Sequence, residues 1–193
     1  SELKSIKAGV KKWSTIERNE LIYVWHHSEG ADPEQYPDDF LNKYGPKLTA
    51  IDSYLQICYA NFECLNDNGV DLEHFHHVHT TLIPYVATMK VELSVNFDDR
   101  KCPVTSGTMS VFVLGISFLG TFVVQAIYIP VQHDKCLILM VPYGRASPFN
   151  WIYNVVFYLF LTEQFNSDMV ISINLQRQKR PIFTRNDEAI IKN

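Results

Sequence analysis

The stretch Asp67-Asn68-Gly69-Val70-Asp71-Leu72-Glu73-His74-Phe75-His76-His77-Val78-His79 holds four histidines and three carboxylates in thirteen positions. Neutral imidazoles suit iron, zinc or copper, and a carboxylate beside them suits a redox iron site. Asp67, Asp71, His74 and His79 form an acidic-x3-Asp-x2-His-x4-His pattern. Ordinary residue usage would produce it on the order of once in a thousand chains of this length. On a regular helix Asp67, Asp71 and His74 share one side, because spacings of four and three recur on a face. His79 does not, since five residues turn a helix about 500° and leave it about 140° from His74. One metal held by both requires the helix to break or to carry a π-type turn between them. An undistorted helix would instead pair His74 with His77, and periodicity does not choose between the two pairs.

The rest of the composition excludes several classes. At 193 residues the chain fits one domain with a sizeable core. It is 47% hydrophobic and 20% charged, which reads as globular. The net charge of −4 and the scattered Lys and Arg leave no basic stripe, so no nucleic-acid partner is expected. Cys58, Cys64, Cys102 and Cys136 form neither CxxC nor CxH, so no zinc ribbon or iron–sulfur site is encoded. They read as reduced thiols of an intracellular protein, with two disulfides the alternative. No secretory signal opens the chain.

In chain order, Leu21-Ile22-Tyr23-Val24-Trp25 reads as a strand after a turn at Arg18-Asn19-Glu20. His26 and His27 read as its solvated end, because adjacent strand residues face opposite ways. Residues 28–47 are punctuated by prolines and glycines as a linker. Leu48, Ile51, Tyr54, Leu55, Cys58, Tyr59 and Phe62 follow a 3.6-residue period, which predicts a helix over 48–64. Residues 86–97 alternate as a half-buried strand, followed by a charged turn at Asp98-Asp99-Arg100-Lys101.

Met109 to Val131 is uncharged and long enough to suggest a membrane span. Its glycines Gly115 and Gly120, its β-branched residues and its internal Ser117, Thr121 and Gln125 favour strands instead. The expected strands are 111–114 and 121–124, with 137–140 after a turn at His133-Asp134-Lys135. Ser147-Pro148 opens an aromatic-rich helix expected to run to Asp168.

The wording Asn68-Gly69-Val70-Asp71-x-x-His74-Phe75-x-x-Val78-His79 resembles the mononuclear-iron motif of Rieske-type oxygenases. It is most similar to the branch of animal cholesterol 7-desaturases (the Neverland type) and bacterial ketosteroid hydroxylases. The resemblance implies that His74 and His79 hold Fe(II), and that Asp71 is the bridging acid coupling this iron to an electron-donating cluster. Gln164-Phe165-x-x-Asp168-x-x-Ile171 resembles the family's C-terminal ligand helix, making Asp168 the third ligand. Asn174, Arg180-Pro181-Ile182-Phe183 and Asn186-Asp187-Glu188-Ala189-Ile190 support that register. Ser172 stands where the family has Trp, and Asp187 is the competing carboxylate.

The resemblance carries further expectations. The fold class is α+β, a helix-grip (START-like) domain with a curved antiparallel sheet and flanking helices around an apolar cavity. Residues 1–27 resemble the last hairpin of a Rieske domain, and 28–193 the non-haem iron catalytic domain. The two Cys and two His of a 2Fe–2S cluster are not supplied upstream of the motif, so the chain reads as lacking its own electron entry. In a complete family member, electrons from NAD(P)H pass through a reductase and that cluster, dioxygen is consumed and a sterol is desaturated or hydroxylated. A homotrimer and attachment to the endoplasmic reticulum through an upstream helix are also implied. Two other classes compete: a non-catalytic lipid-binding module of the same fold, and a zinc hydrolase. The latter lacks the His-Glu-x-x-His order, although Glu73 abuts His74.

Overall fold

A computed structural model describes residues 12–45, 47–95 and 105–172. The charged turn at 98–101, Cys102, Asp187 and the tail wording after Ser172 lie outside the described residues. The chain opens with an antiparallel hairpin, β1 (Thr15–Arg18) and β2 (Leu21–Val24), then a five-residue helix α1 (Phe40–Tyr44). Next come β3 (Leu48–Ala50), β4 (Tyr54–Cys58), α2 (Phe62–Val70) and α3 (Leu72–Val78). The remainder is β5 (Thr81–Ile83), β6 (Ala87–Val95), β7 (Thr105–Val113), β8 (Ile116–Gln132), β9 (Lys135–Arg145) and α4 (Asn150–Ser172). The architecture is α+β, built on a seven-stranded antiparallel sheet in the order β3-β9-β8-β7-β6-β5, with β4 also paired to β9.

Period-2 alternation on the long central strands gives this sheet two buried faces. Phe122 of β8 packs with Met89 and Met109 on one face, where Tyr153, Phe157 and Phe160 of α4 cover them. Its neighbour Val123 points the other way and joins Phe40, Val141 and Tyr143 beneath the hairpin and α1. The uncharged stretch 109–131 is therefore a pair of strands rather than a span. Among the described residues no helix is long and apolar enough to cross a membrane. Leu114 and Gly115 make the β7–β8 turn with positive φ values of 50° and 76°. Gly120 is not a turn but a bulge inside β8, with φ 77°, where the pairing with β7 shifts between Ser110 and Val111.

The helix expected over 48–64 is not formed. Residues 48–58 are strands, and only Phe62 onward is helical, with Asn61 Oδ1 accepting the Glu63 N–H at 2.8 Å. Short apolar runs fit both periods. Here β4 pairs with β9 from Tyr54↔Met140 to Cys58↔Cys136, burying Tyr54 and Cys58 while Leu55 and Ile57 face outward. The linker at 28–47 contains α1, whose Phe40 is a core residue set edge-on to Tyr143 at 5.1 Å. The final helix starts at Asn150, after Ser147 Oγ accepts the Phe149 N–H at 3.2 Å, and runs past Asp168 to Ser172. Cys58, Cys64 and Cys136 are buried free thiols. Burial and the neighbouring Cys136 push the Cys58 thiol up to about 11.

A buried polar network joins the hairpin to the sheet. The Tyr143 hydroxyl lies 2.6 Å from the Asn19 carbonyl and 3.1 Å from Gln125 Oε1, and Gln125 Nε2 donates to the Tyr23 hydroxyl at 3.0 Å. Asn19 and Glu20 form the turn with positive φ, and Glu20 Oε2 accepts the Ala50 N–H at 2.8 Å. Tyr143→Phe removes the donor and strands buried acceptors. Stability should fall by about 1–3 kcal/mol in urea denaturation with an unchanged m-value.

Candidate metal centre

The local geometry of the His-rich stretch follows from one residue. Asp71 has φ −79° and ψ 97°, an extended conformation that stops α2 and starts α3. Its backbone N–H bonds to the Asn68 carbonyl, and its Oδ1 accepts the His74 N–H at 3.1 Å, as an N-cap does. The single helix face carrying Asp67, Asp71 and His74 is thus broken at Asp71. His74 falls in the first turn of α3, and His79 is its C-cap at φ −107°, ψ 3°. The helix ends after Val78, so the awkward five-residue spacing is met by leaving the helix rather than by distorting it.

The two rings meet at the end of α3. His74 Nε2 and His79 Nε2 stand 2.8 Å apart, the rings nearly perpendicular at 77°. Asp168, on the last turns of α4, closes the group: its Oδ1 lies 3.3 Å from His74 Nε2 and 3.1 Å from His79 Nε2. All three offer a ligand atom within 4.8 Å of one another. Donors about 2.1 Å from one ion at right angles stand about 3 Å apart, so this cluster fits three adjacent positions on a divalent cation. Two further observations agree. Asp168 Oδ1 is buried yet completes no hydrogen bond despite the nearby imidazoles, and two ring nitrogens converge on the same point. Two imidazoles and one carboxylate suit Fe(II).

Burial and charge act in opposite directions here. Desolvation raises the Asp168 carboxyl, but hydrogen bonds from His74 and His79 outweigh it and bring it down to about 2. His74 is raised above its ordinary value, first by its hydrogen bond to Asp168, against burial, with the charges of Asp168 and Asp71 adding. Asp71 therefore acts on His74 through its charge, while its hydrogen bond goes to the backbone. His79 is 1% exposed and its Nδ1 has no hydrogen-bond partner.

The other expected residues are elsewhere or play other parts. His77 is exposed and pairs with Glu73 one turn away, 3.3 Å between Nε2 and Oε2. His26 stacks on Trp13 and His27 on Trp25, both away from the cluster. Sequence reasoning missed Asn68, whose Nδ2 donates to Asp168 Oδ2 at 3.3 Å. It also missed Tyr128, which lines a cavity of about 100 Å³ beside the cluster. His79 and Asp168 form part of that cavity's wall, and Met109, Val124, Phe157 and Phe160 make much of the rest apolar. Burial holds the Tyr128 phenol well above its ordinary range, so it is a neutral hydroxyl. Asn68 stood in the motif wording without a role, and nothing local pointed to Tyr128, because their partners lie 100 positions away or across the sheet.

The His74–Asp168 pair makes the metal-free protein sensitive to pH. A raised His74 contributes stability that is present below 6.5 and lost as pH rises through its folded value. A depressed Asp168 contributes stability present above 3.8 and lost as pH falls toward about 2. Thermal melts of the metal-free protein should therefore show this contribution largest between those limits. Metal affinity should rise with pH over the range in which His74 loses its proton. A pH-independent affinity across neutral pH would contradict the assignment of His74.

Residues 24–112 match the family described as the 3-ketosteroid 9alpha-hydroxylase C-terminal domain, a match that includes Asp71, His74 and His79 and ends before Asp168. The cholesterol 7-desaturase nvd of Hemicentrotus pulcherrimus is 33% identical over 73 residues, 38% of this chain and 16% of that protein. The cholesterol 7-desaturase of Caenorhabditis elegans is 23% identical over 97% of this chain and 53% of its own length. The chain thus spans about half, or less, of the length of these relatives. Dicamba monooxygenase bound to dicamba shares the fold, with a TM-score of 0.55 and 18% identity over 93% of this chain and 66% of that one. Pseudomonas putida CBB5 NdmA with caffeine does so at 0.59 and 16%, over 100% of this chain and 62% of that one. In sequence the chain is similar to the 3-ketosteroid 9alpha-hydroxylase C-terminal domain and to the cholesterol 7-desaturases, and it shares its fold with dicamba monooxygenase and NdmA.

Proposed function

We propose that this chain carries the catalytic centre of a sterol-oxidising Rieske-type oxygenase, performing 7,8-desaturation of cholesterol or a related steroid hydroxylation. The observation that carries the reading is the convergence of His74, His79 and Asp168 at the wall of an apolar cavity. The sheet and α4 are read as the family's helix-grip arrangement, with residues 28–193 as the catalytic domain and 1–27 as the end of a cluster domain. An Fe(II) ion held by the three side chains would supply the redox chemistry with dioxygen that removes hydrogen from an unactivated carbon.

The chain's own residues provide the remainder. His74, His79 and Asp168 leave one side of the centre open toward the cavity. Phe75 packs against both imidazoles, at ring distances of 5.8 and 5.5 Å, and shares the cavity wall with His79 and Asp168. Phe157, Phe160 and Val124 exclude water and suit a rigid apolar ligand such as a sterol. The Asp168 carboxylate offsets part of the cation's charge in this buried setting. In the whole protein, electrons would come from NAD(P)H through a reductase and a 2Fe–2S cluster, with Asp71 coupling that cluster to the centre. A homotrimer attached to the endoplasmic reticulum membrane completes the reading.

Anaerobic Fe(II) loading followed by nitric oxide tests the ligand set by electron paramagnetic resonance. A high-spin iron–nitrosyl signal should persist in His77→Ala and collapse in His79→Ala and Asp168→Ala. No signal in the wild-type chain, with sterol binding intact, would make it a lipid-binding module instead. Asp71 calls for a different substitution, because it also caps α3. Asn caps as well as Asp, so Asp71→Asn should keep the fold and the nitrosyl signal while lowering turnover in the full-length enzyme at least tenfold. Unchanged turnover would remove Asp71 from the coupling role.

A further inference from the structure

Gly69 sits in the last turn of α2, between Asn68 and the end of the helix. Glycine costs a helix interior about 1 kcal/mol relative to alanine. Its φ is not in the left-handed region, so no turn requires it there. What requires it is space. A Cβ on Gly69 would overlap the hydroxyl oxygen of Tyr128 and stand 2.7 Å from its Cζ. Tyr128 has little freedom to withdraw, since its ring packs against the fully buried Cys58, Cys136 and Ile138 cluster and comes from the central strand β8. The end of α2 is therefore seated directly on the tip of Tyr128.

The residue before Gly69 uses that seat. Asn68 Nδ2 reaches Asp168 Oδ2 at 3.3 Å, joining α2 to α4 across 100 residues of chain. Oδ2 also lies 3.2 Å from His79 Nε2, and Oδ1 stands between the two imidazoles, 3.3 Å from His74 Nε2 and 3.1 Å from His79 Nε2. We infer that Asn68 is a positioning residue that anchors Asp168 Oδ2 and so keeps the carboxylate facing the two histidines, and that the contact between Gly69 and Tyr128 sets Asn68 within reach. The Asn-Gly pair in the motif thus has a physical reason: an amide to orient a ligand, and a missing side chain to let the helix close on the sheet. The inference rests on the metal-centre reading above, which has its own test in the first step below.

Cobalt(II) is the probe, titrated into the metal-free full-length chain, because its visible absorption reports coordination independently of turnover. The wild type should bind one equivalent, and Asp168→Ala should abolish it; if the wild type binds none, the metal-centre reading itself fails. Given wild-type binding, Asn68→Ala should weaken cobalt affinity about 10- to 100-fold, the range for outer-shell partners, and alter the absorption of the bound ion. Gly69→Ala should do the same despite the better helix propensity of alanine. Tyr128→Leu in the Gly69→Ala background should restore affinity and spectrum toward wild type, because a shorter side chain makes room for the new methyl. Wild-type affinity and spectrum in Asn68→Ala would overturn the role of Asn68. A Gly69→Ala defect that Tyr128→Leu leaves unrelieved would overturn the seat. Should Gly69→Ala not fold, the Asn68→Ala titration and the folding of the double variant decide the two halves separately.

Discussion

Asp168 meets His74 and His79 only because α4 is pinned across the inner face of the sheet. The carboxylate is separated from His79 by 89 residues, so bringing them together carries a loop-closure entropy that no local interaction offsets. The apolar layer of Tyr153, Phe157 and Phe160 against Met89, Met109 and Phe122 does so instead. That layer exists because β6, β7 and β8 each send Met89, Met109 and Phe122 to the side that α4 covers, while Val123 of β8 turns toward the hairpin and Lys90 and Glu92 of β6 turn to solvent. Burying three polar ligands at the end of such a layer is unfavourable unless they satisfy one another or a cation. The centre and the core are consequences of the same packing.

The order of elements around the centre separates two tasks. Helices α2 and α3 are short and capped by one shared residue, Asp71, so the histidines are placed by local geometry. The third ligand comes from a long helix held by many apolar contacts, so its position is set globally. Asn68 adds a hydrogen bond between the two systems beside the His74 and His79 contacts to Asp168. Such a centre resists drift in either part, because a shift of α4 would strain the hydrogen bond to α2, and a shift of α2 would also press Gly69 against Tyr128.

Much of this was legible in the chain. The strand at 87–95 followed from alternation, and the buried strands expected at 111–114, 121–124 and 137–140 fall in the longer β7, β8 and β9, readable from β-branched residues and glycines. The His-rich stretch pointed to a candidate metal site because all its information is local, and the structure brings His74 and His79 together with Asp168. The segment 48–58 was misread for a physical reason: seven apolar residues spaced irregularly satisfy a helical period, and only pairing with β9 makes Tyr54 and Cys58 the buried pair. Gly115 and Gly120 both favoured strands in the sequence, but only Gly115 lies in a turn and Gly120 is a bulge, since a positive φ serves either purpose.

The sequence by itself determined the candidate ligand types and the half-buried strand at 87–95, because each depends on residues within a few positions of one another, whereas it placed Asp71 inside one helix face that the structure breaks there. Tertiary structure decided what the helical period left open between His77 and His79, since His79 is turned inward against Asp168 at 1% exposure while His77 stays exposed beside Glu73. It likewise decided where Asn68 and Tyr128 point. Those choices depend on contacts between segments about 60 to 100 residues apart, and the energy of such contacts is not written in any local period.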